Sequence, residues 1–305
     1  MGSFYITSGV IKMFKKLKIS LIILLTFITT SSFAWWDSTH MTVAKIAEEN
    51  LSEKAKTRSY ELIHLLKDYY PESPDFITAA TWADDVASTG FTGWAWHGKS
   101  IPFDPDNILS TYKKNLIVAS LKNNAVYGIN QAILTLKNPE AHEYTKGIML
   151  RFLLHIVGDI HMPLHCTSLY SKDFPSGDYG GGMFKLNIDL NGKNSLHALW
   201  DSCLTRDGIR LERPLSNAGI AYIEDFKNEI TALYPKDSID ELDITDFDAW
   251  VYESHKIGSE NAYYGIKIND TPSDEYIQKN RKIAYRQIAK AGYRLADILN
   301  EVFED

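Results

Sequence analysis

The residues best suited to chemistry in this chain are histidines and aspartates at metal-binding spacings. His155 and Asp159 are four residues apart, and His197 and Asp201 repeat that spacing. On a helix, side chains four residues apart lie on the same face. Each pair can therefore offer one ion an imidazole nitrogen and a carboxylate oxygen, which are good zinc ligands. The pattern predicts two helical metal-binding pairs.

The segment around the first pair offers a further ligand. His155 and Asp159 end an otherwise apolar run, where an unpaired histidine and aspartate would be costly to bury. Pro163 breaks the helix, so the chain can turn and bring His165 towards the same space. His161 should point elsewhere, as an outer neighbour of the site at most. A single histidine is more often ordinary core or surface, but this combination favours a metal centre.

The start of the chain resembles an export segment. A basic stretch over 15–18 precedes an apolar run over 19–28, and small residues follow at the positions that a signal peptidase requires. We predict a signal peptide over 1–34, with Met13 as an alternative start; an uncleaved membrane anchor is the other interpretation. The mature chain over 35–305 would be secreted or periplasmic, without stable membrane association.

Charge limits the classes of partner. After removal of residues 1–34, 39 acidic side chains outweigh 28 basic ones, which gives a net charge of −11. Such a chain does not grip duplex nucleic acid by a basic surface. A polyanionic substrate would have to be held mainly by metal. The chain contains only two cysteines, Cys166 and Cys203, for which a disulfide and two buried thiols are both open.

The elements that must position these residues are mainly helical. Apolar residues recur at spacings of three and four in five segments, which are 43–51, 62–66, 108–136, 148–157 and 283–302. Asp37-Ser38-Thr39 is suited to cap the first helix. Residues 184–190 alternate strictly and are followed by Asn191-Gly192, which predicts a small β-hairpin. We expect a mainly α, single compact multi-helix domain over 35–305.

Several motifs follow one another along nearly the whole mature chain. They are Trp35…His40, Thr81-Trp82-Ala83-Asp84, Trp96-His97, His155-x-x-Gly158-Asp159, Pro163-Leu164-His165, Asp178-x-Gly180-Gly181, Leu196-His197-x-x-Trp200-Asp201 and Ala291-Gly292-x-Arg294. In these motifs the chain resembles the zinc-dependent type I nucleases, the family of single-strand-specific nucleases and 3′-nucleotidases. Their fold is shared with the trinuclear-zinc phospholipases C.

The resemblance implies three zinc ions. The implied ligand sets are Asp84, His97, His155 and Asp159; His165, His197 and Asp201; and the α-amine and carbonyl of Trp35 with His40 and Asp159. Asp84 is also predicted to be catalytic. A hydroxide between two zinc ions would attack phosphorus in single-stranded RNA or DNA and leave 5′-phosphorylated products, and 3′-nucleotides would give nucleosides. We expect a monomer.

The chain departs from the family pattern near the substrate. Gly98 stands where an aromatic or bulky residue is usual, and Ala87 stands where a Lys or Arg is common. Gly182 and Ser195 replace asparagines, and Met162 replaces a polar residue. A nucleobase would then need another stacking platform. The nearby aromatic residues are Phe91, Trp94, Trp96 and Phe103, and for any single one of them a place in the core is the favoured interpretation.

Three functions are therefore compared. The first is a secreted nuclease and 3′-nucleotidase. The second is a phospholipase C-like phosphodiesterase, but that family places its first histidine further from the N-terminal Trp and uses Glu where this chain has Asp201. The third is a non-catalytic secreted zinc-binding protein, suggested by Ala87 and Gly98. The spacing of His40 from Trp35 and the complete ligand set favour the nuclease.

Overall fold

The computed structural model describes residues 35–87, 89, 93–205, 211–240 and 242–304, so the predicted signal peptide lies outside the described residues. The α-helices are α1 (Asp37–Glu49), α2 (Glu53–His64), α3 (Trp82–Ala87), α4 (Thr111–Ser120), α5 (Ala125–Lys137), α6 (Glu143–Asp159), α7 (Leu196–Asp201), α8 (Asn217–Leu233), α9 (Phe247–Ile257) and α10 (Asp274–Glu304). The strands are β1 (Ile101–Phe103), β2 (Thr167–Leu169), β3 (Lys185–Leu190) and β4 (Lys193–Ser195). The predicted mainly α fold is confirmed.

Helix α6 forms the centre of the core. All of its residues from 150 to 159 are buried, and α6 packs against α1, α2, α3, α5 and α10. A helix that is covered on every side has to be mostly apolar, which explains the run before His155. Arg151 is the buried exception, and it donates to the carbonyl and hydroxyl of Ser73. The cost of burying His155 and Asp159 at its end has to be offset by specific partners.

Helix α10 packs against α1 and holds it on this core. Its apolar stripe packs along α1, and Gly292 provides the close approach. A Cβ at Gly292 would lie 2.5 Å from the Cβ of Ile46 and 3.1 Å from the carbonyl oxygen of Val43. The absence of a side chain at this position therefore sets the distance between the two helices.

Two small sheets complete the fold. Strands β3 and β4 are antiparallel, and Asn191 and Gly192 join them with φ angles of 54° and 82°. This is the predicted hairpin. Strands β1 and β2 pair in parallel, with Ile101 opposite Thr167. Sequence analysis missed this pair, because three residues are too few for an alternation to be recognised.

The helix boundaries differ from the predictions in two places. Helix α1 begins at Asp37 after Trp36, without a side-chain cap, so the predicted capping residues form its first turn. The periodic segment over 108–136 is two helices, since the chain leaves α4 at Leu121 and Asn124 caps α5 through the N–H groups of Val126 and Tyr127. None of the helices in the described part of the chain has the length and apolarity needed to cross a bilayer.

Of the two alternatives left open for Cys166 and Cys203, the disulfide is not formed. Cys166 and Cys203 are buried thiols, each with its own polar neighbour. The thiol of Cys166 donates to the carbonyl of Ile160 at 3.4 Å, and the sulfur of Cys203 lies 3.3 Å from the hydroxyl of Thr39. The two sulfurs thus belong to different contacts, and the alternative of two buried thiols is the one observed.

The packing of α1 on α10 gives a first prediction. Gly→Ala in a helix interior normally stabilises by about 1 kcal/mol, but Gly292→Ala would force a methyl group into Ile46. We expect the free energy of unfolding to fall by about 1–3 kcal/mol, as in other overpacked cores. Urea unfolding would measure the change.

The matched control is Gln278→Ala on the exposed side of α10. It should change the free energy of unfolding by less than about 0.5 kcal/mol. A Gly292→Ala protein that is more stable than the wild type would show that the two helices can separate at little cost.

Candidate metal centre

Residues from six segments converge at the end of α6. Helix α6 carries His155 and Asp159, α7 carries His197 and Asp201, and the remaining members are His40 of α1, Asp84 of α3, and His97 and His165, which each end a 3-10 turn. All eight side chains are buried. The structure therefore brings together every predicted ligand side chain.

Asp159 lies in the middle of this group. Its Oδ1 is 3.4 Å from Nε2 of His40 and 3.7 Å from Nδ1 of His165. Its Oδ2 is 3.1 Å from Nδ1 of His97 and 3.2 Å from Nε2 of His155. One carboxylate thus faces four imidazoles, as a bridging ligand would.

A second carboxylate approaches the same imidazoles. Oδ1 of Asp84 is 3.4 Å from Nδ1 of His97 and 3.5 Å from Nε2 of His155, and these two nitrogens are 3.1 Å apart. The ligand atoms of Asp84, His97 and His155 fall within 4.8 Å of one another, and so do those of His40, His155 and Asp159. Both triads have dimensions compatible with a single ion.

The third triad is built on α7. Nε2 of His197 lies 3.3 Å from Oδ2 of Asp201, one helical turn away, and His165 joins them within the same 4.8 Å limit. The rings of His165 and His197 stack with centroids 5.1 Å apart. The predicted pairing of His197 with Asp201 on one helical face is observed.

Backbone carbonyls fix the orientation of several imidazoles. Nδ1 of His155 contacts the carbonyl of Ala80 at 2.7 Å, and Nδ1 of His197 contacts that of Gly180 at 2.7 Å. Nδ1 of His165 contacts the carbonyl of His97. When Nδ1 donates its proton in this way, Nε2 is left as a lone pair directed at the cluster, which is the usual arrangement around a metal ligand.

The charges in the cluster perturb one another. Burial lowers the pKa of His155, but the carboxylates of Asp159 and Asp84 outweigh it and hold that pKa well above its usual value. Burial, with a contribution from His155, lowers the pKa of His40 to about 4. Burial also raises the pKa of Asp201 well above its usual value, against the charge of Lys193. Protons alone therefore neutralise the buried charges of these imidazoles and carboxylates unevenly.

The donor set fits a divalent metal. Within the described residues, neither carboxylate oxygen of Asp159 and neither ring nitrogen of His40 has a hydrogen-bond partner, and the same holds for Nε2 of His165. Buried polar atoms normally have partners, because leaving one unsatisfied costs about 1–3 kcal/mol. Imidazole nitrogens and carboxylate oxygens that converge in this way are suited to zinc.

Arg213 holds two of the ligand-bearing segments together. Its guanidinium donates to both oxygens of Asp85 at 2.6 and 2.8 Å and to the hydroxyl of Thr81 at 2.5 Å. Its Nε lies 3.3 Å from Asp37 at the start of α1. The guanidinium of Arg213 thus ties together the segments that carry Asp84 and His40. The sequence did not indicate this role of Arg213.

His161 lies outside the cluster, as expected. Its Nδ1 contacts the carbonyl of Val157 at 2.7 Å, and its Nε2 faces Arg294 of α10 at 2.8 Å. Gln287 and Ser254 donate to the carbonyls of His161 and Ile160 at 3.3 and 2.5 Å. Helices α9 and α10 thereby fix the loop that leads from Asp159 to His165.

The structure gives reasons for three departures from the family pattern. A Cβ at Gly98 would overlap the carbonyl oxygen of His165, so this position accepts only glycine. Ser195 caps α7 by accepting from the N–H of Ala198 at 3.1 Å, and the sulfur of Met162 accepts from Leu164 at 3.0 Å. Nothing in the structure explains Ala87, which is buried in α3.

Of the four aromatic residues considered as stacking platforms, the structure describes the side chains of two. Trp96 is buried against Phe152 and donates its indole N–H to Asn123, so it belongs to the core. Phe103 is partly exposed on β1. Phe91 and the side chain of Trp94 lie outside the described residues.

Tyr179 was not predicted from the sequence as a residue near the site. This side chain is 71% exposed, although its backbone has a φ of 55°, which is rare for an aromatic residue. It lies between Asp178 and Gly180, whose carbonyl orients His197. Such strained residues cluster at functional sites, and an aromatic residue before a glycine run was the available clue.

The N-terminal part of the site is also in place. The Trp35 side chain is fully buried, and the N–H of Trp36 donates to the carbonyl of Asp201 at 3.2 Å. This bond holds the first residue of the predicted mature chain beside α7. Coordination by the α-amine of Trp35 stays a prediction.

Comparison with known proteins agrees with this architecture. Residues 35–304 match the S1/P1 nuclease family. The chain is 29% identical to nuclease S1 of Aspergillus oryzae over 283 residues, which cover 87% of this chain and 90% of that protein. It is 26% identical to endonuclease 2 of Arabidopsis thaliana over 285 residues (88% and 90%), and 24% identical to nuclease P1 of Penicillium citrinum over 284 residues (88% and 97%). The family resemblance inferred from the sequence is confirmed, and the chain belongs to the S1/P1 nuclease family.

Proposed function

We propose that this nuclease is a three-zinc enzyme that hydrolyses single-stranded RNA and DNA to 5′-phosphorylated products and converts 3′-nucleotides to nucleosides. The observation that carries the proposal is the buried carboxylate of Asp159 between four imidazoles. The proposed ligands are Asp84, His97, His155 and Asp159 for the first zinc; His165, His197 and Asp201 for the second; and Trp35, His40 and Asp159 for the third.

Zinc at these ligands supplies Lewis acidity and lowers the pKa of a water molecule to about 7. The chain itself supplies orientation, because Ala80, His97 and Gly180 hold His155, His165 and His197 through their carbonyl oxygens. Asp84 is the catalytic carboxylate in this proposal, since it faces the same two imidazoles as Asp159 but is not enclosed by the other histidines.

A single strand suits the surroundings of the site. The exposed ring of Tyr179, next to the carbonyl that orients His197, offers a face on which an unpaired base can stack. Stacking on an aromatic side chain is worth about 1–3 kcal/mol per base. Bases inside a duplex do not present that face. Tyr179 is thus the residue proposed here for the stacking that Gly98 cannot provide.

Export and the alternative activities remain proposals. Export by the segment over 1–34 would place the enzyme in the periplasm or outside the cell and would create the α-amine at Trp35. A phospholipase C-like activity is the second candidate, because the same ligand types serve both families. The substrate assay below separates the two, and it also tests for a zinc-binding protein without turnover.

The function is tested on protein that begins at Trp35. We expect about three zinc ions per chain and hydrolysis of single-stranded RNA that a chelator abolishes and zinc restores. Metal analysis and RNA turnover are measured on the same sample, together with phosphatidylcholine hydrolysis. Turnover of the lipid but not RNA would support the phospholipase, and absence of both in zinc-loaded protein would support the non-catalytic alternative.

The bridging position of Asp159 gives a further prediction. Asp159→Asn should lose more than one zinc ion, because the residue contributes to two of the proposed sites. Asp84→Asn removes a carboxylate from one site and should lose a single ion. Zinc content per chain is measured by mass spectrometry of the metal, with Asp68→Asn, at an exposed aspartate outside the cluster, as the control. Equal losses in the two variants would contradict the bridge.

The α-amine of Trp35 is tested by extension of the chain. Protein with additional residues before Trp35 should lose one zinc ion and most activity, because the amine becomes an amide and cannot coordinate in the same way. Proteolytic removal of the extension should restore both. Full activity and zinc content in the extended protein would exclude the terminal chelate.

A further inference from the structure

A second aromatic surface lies beyond the metal centre, at the far end of β1 and β2. We name it the aromatic groove, and its aromatic lining consists of Phe103, Phe174, Phe184, Tyr263 and Tyr264. Its volume is about 540 Å³, within the range of about 300–1,000 Å³ that is usual for ligand sites. None of these residues belongs to the centre described above.

The groove has a packed floor and an exposed wall. Phe174 and Phe184 are buried, and the ring of Tyr263 packs at 5.7 Å from Phe103 and 5.9 Å from Phe184. Tyr264, by contrast, is 62% exposed. An exposed ring above an aromatic floor is the arrangement that a flat, π-faced ligand would fill.

Backbone and side-chain contacts hold the groove in shape. The hydroxyl of Tyr263 donates to Asp178 at 2.8 Å, and Asp178 also accepts from the N–H of Leu169 at 2.8 Å. On the other side, the N–H of Asn269 donates to the carbonyl of Lys185 at 2.7 Å. The groove is therefore preformed, so a ligand need not order it.

The groove and the metal centre both contact the loop over 178–180, since Asp178 binds Tyr263 and the carbonyl of Gly180 contacts His197. Strand β2 begins two residues after His165 and carries Leu169 into the groove, so at most about 14 Å of chain separates His165 from Leu169. Asp178, which binds Tyr263, immediately precedes Tyr179. A strand that stacks one base on Tyr179 would meet the groove next.

We propose that the aromatic groove binds a further nucleobase of the same single strand, several nucleotides from the phosphate held at the metal centre. The inference rests on the proposed function. The ligand class follows from the aromatic lining, the preformed shape and the loop shared with Tyr179, and Lys267 in the lining offers a positive charge to the strand. Asp173 is the opposing charge in the lining.

The groove makes the affinity depend on strand length. For an oligonucleotide of roughly six residues, Tyr264→Ala should raise KM about fivefold or more, since a lost stack is worth about 1–3 kcal/mol. A 3′-mononucleotide is too short to reach Tyr264, and its KM should change by less than about twofold. Tyr179→Ala should weaken both substrates, because that residue stands beside the metal ligands.

The matched control is Tyr69→Ala. Tyr69 is 68% exposed and packs on Tyr144 beside the first turn of α6, at the opposite end of the helix from Asp159. It should leave KM for both substrates unchanged. If Tyr264→Ala raises KM for the mononucleotide as much as for the oligonucleotide, or for neither, the groove does not bind a base of the strand.

Binding without turnover separates this inference from the proposed function. Fluorescence anisotropy with a phosphorothioate oligonucleotide measures affinity whether or not the protein cleaves it. Weaker binding by Tyr264→Ala, in protein that hydrolyses no RNA, would retain the groove and overturn the nuclease mechanism. Normal binding by Tyr264→Ala, in protein that hydrolyses RNA, would overturn the groove alone and leave an apolar ligand as its occupant.

Discussion

The structure depends on one unfavourable burial, that of the Asp159 carboxylate at the buried end of α6. A buried charge is tolerated only with compensating partners. Four imidazoles surround this carboxylate. One of them, His155, belongs to the same helix, and the other three come from other segments of the chain. Much of the architecture can be understood as the means of bringing those imidazoles to one place. The convergent lone pairs that result favour a divalent cation over protons, because protons leave the carboxylates and imidazoles unevenly compensated.

The surrounding contacts fall into two groups, which hold different ligand-bearing segments. Arg213 ties the start of α1 to the segment that contains Asp84. Arg294 and Gln287 of α10 fix the loop between Asp159 and His165. Neither arginine coordinates metal, yet each determines where a ligand-bearing segment lies. Rigid support of this kind is what keeps a metal ligand set within the narrow geometry that zinc requires.

How much the sequence reveals depends on how local each feature is. The pairing of His155 with Asp159 follows from helical spacing alone, and so does that of His197 with Asp201. The approach of Asp84 and His97 to the same cluster depends on contacts between distant segments, so only the family resemblance predicted it. Tyr179, the aromatic groove and the parallel pair of β1 and β2 were missed, because loops and three-residue strands leave no periodic pattern. The sequence left the state of Cys166 and Cys203 open, because nearness to metal ligands in sequence says nothing about the distance between two sulfurs.

Gly98 has a consequence for how this protein could change. Its backbone lies so close to the carbonyl of His165 that any side chain would displace a residue of the metal cluster. Under the proposed function, substrate contacts and metal geometry are therefore linked at this position. An aromatic residue cannot be restored at 98 by a single exchange, since the backbone of the neighbouring ligand would first have to move. Tyr179, by contrast, is largely exposed, so packing against neighbours does not limit the size of the side chain at that position.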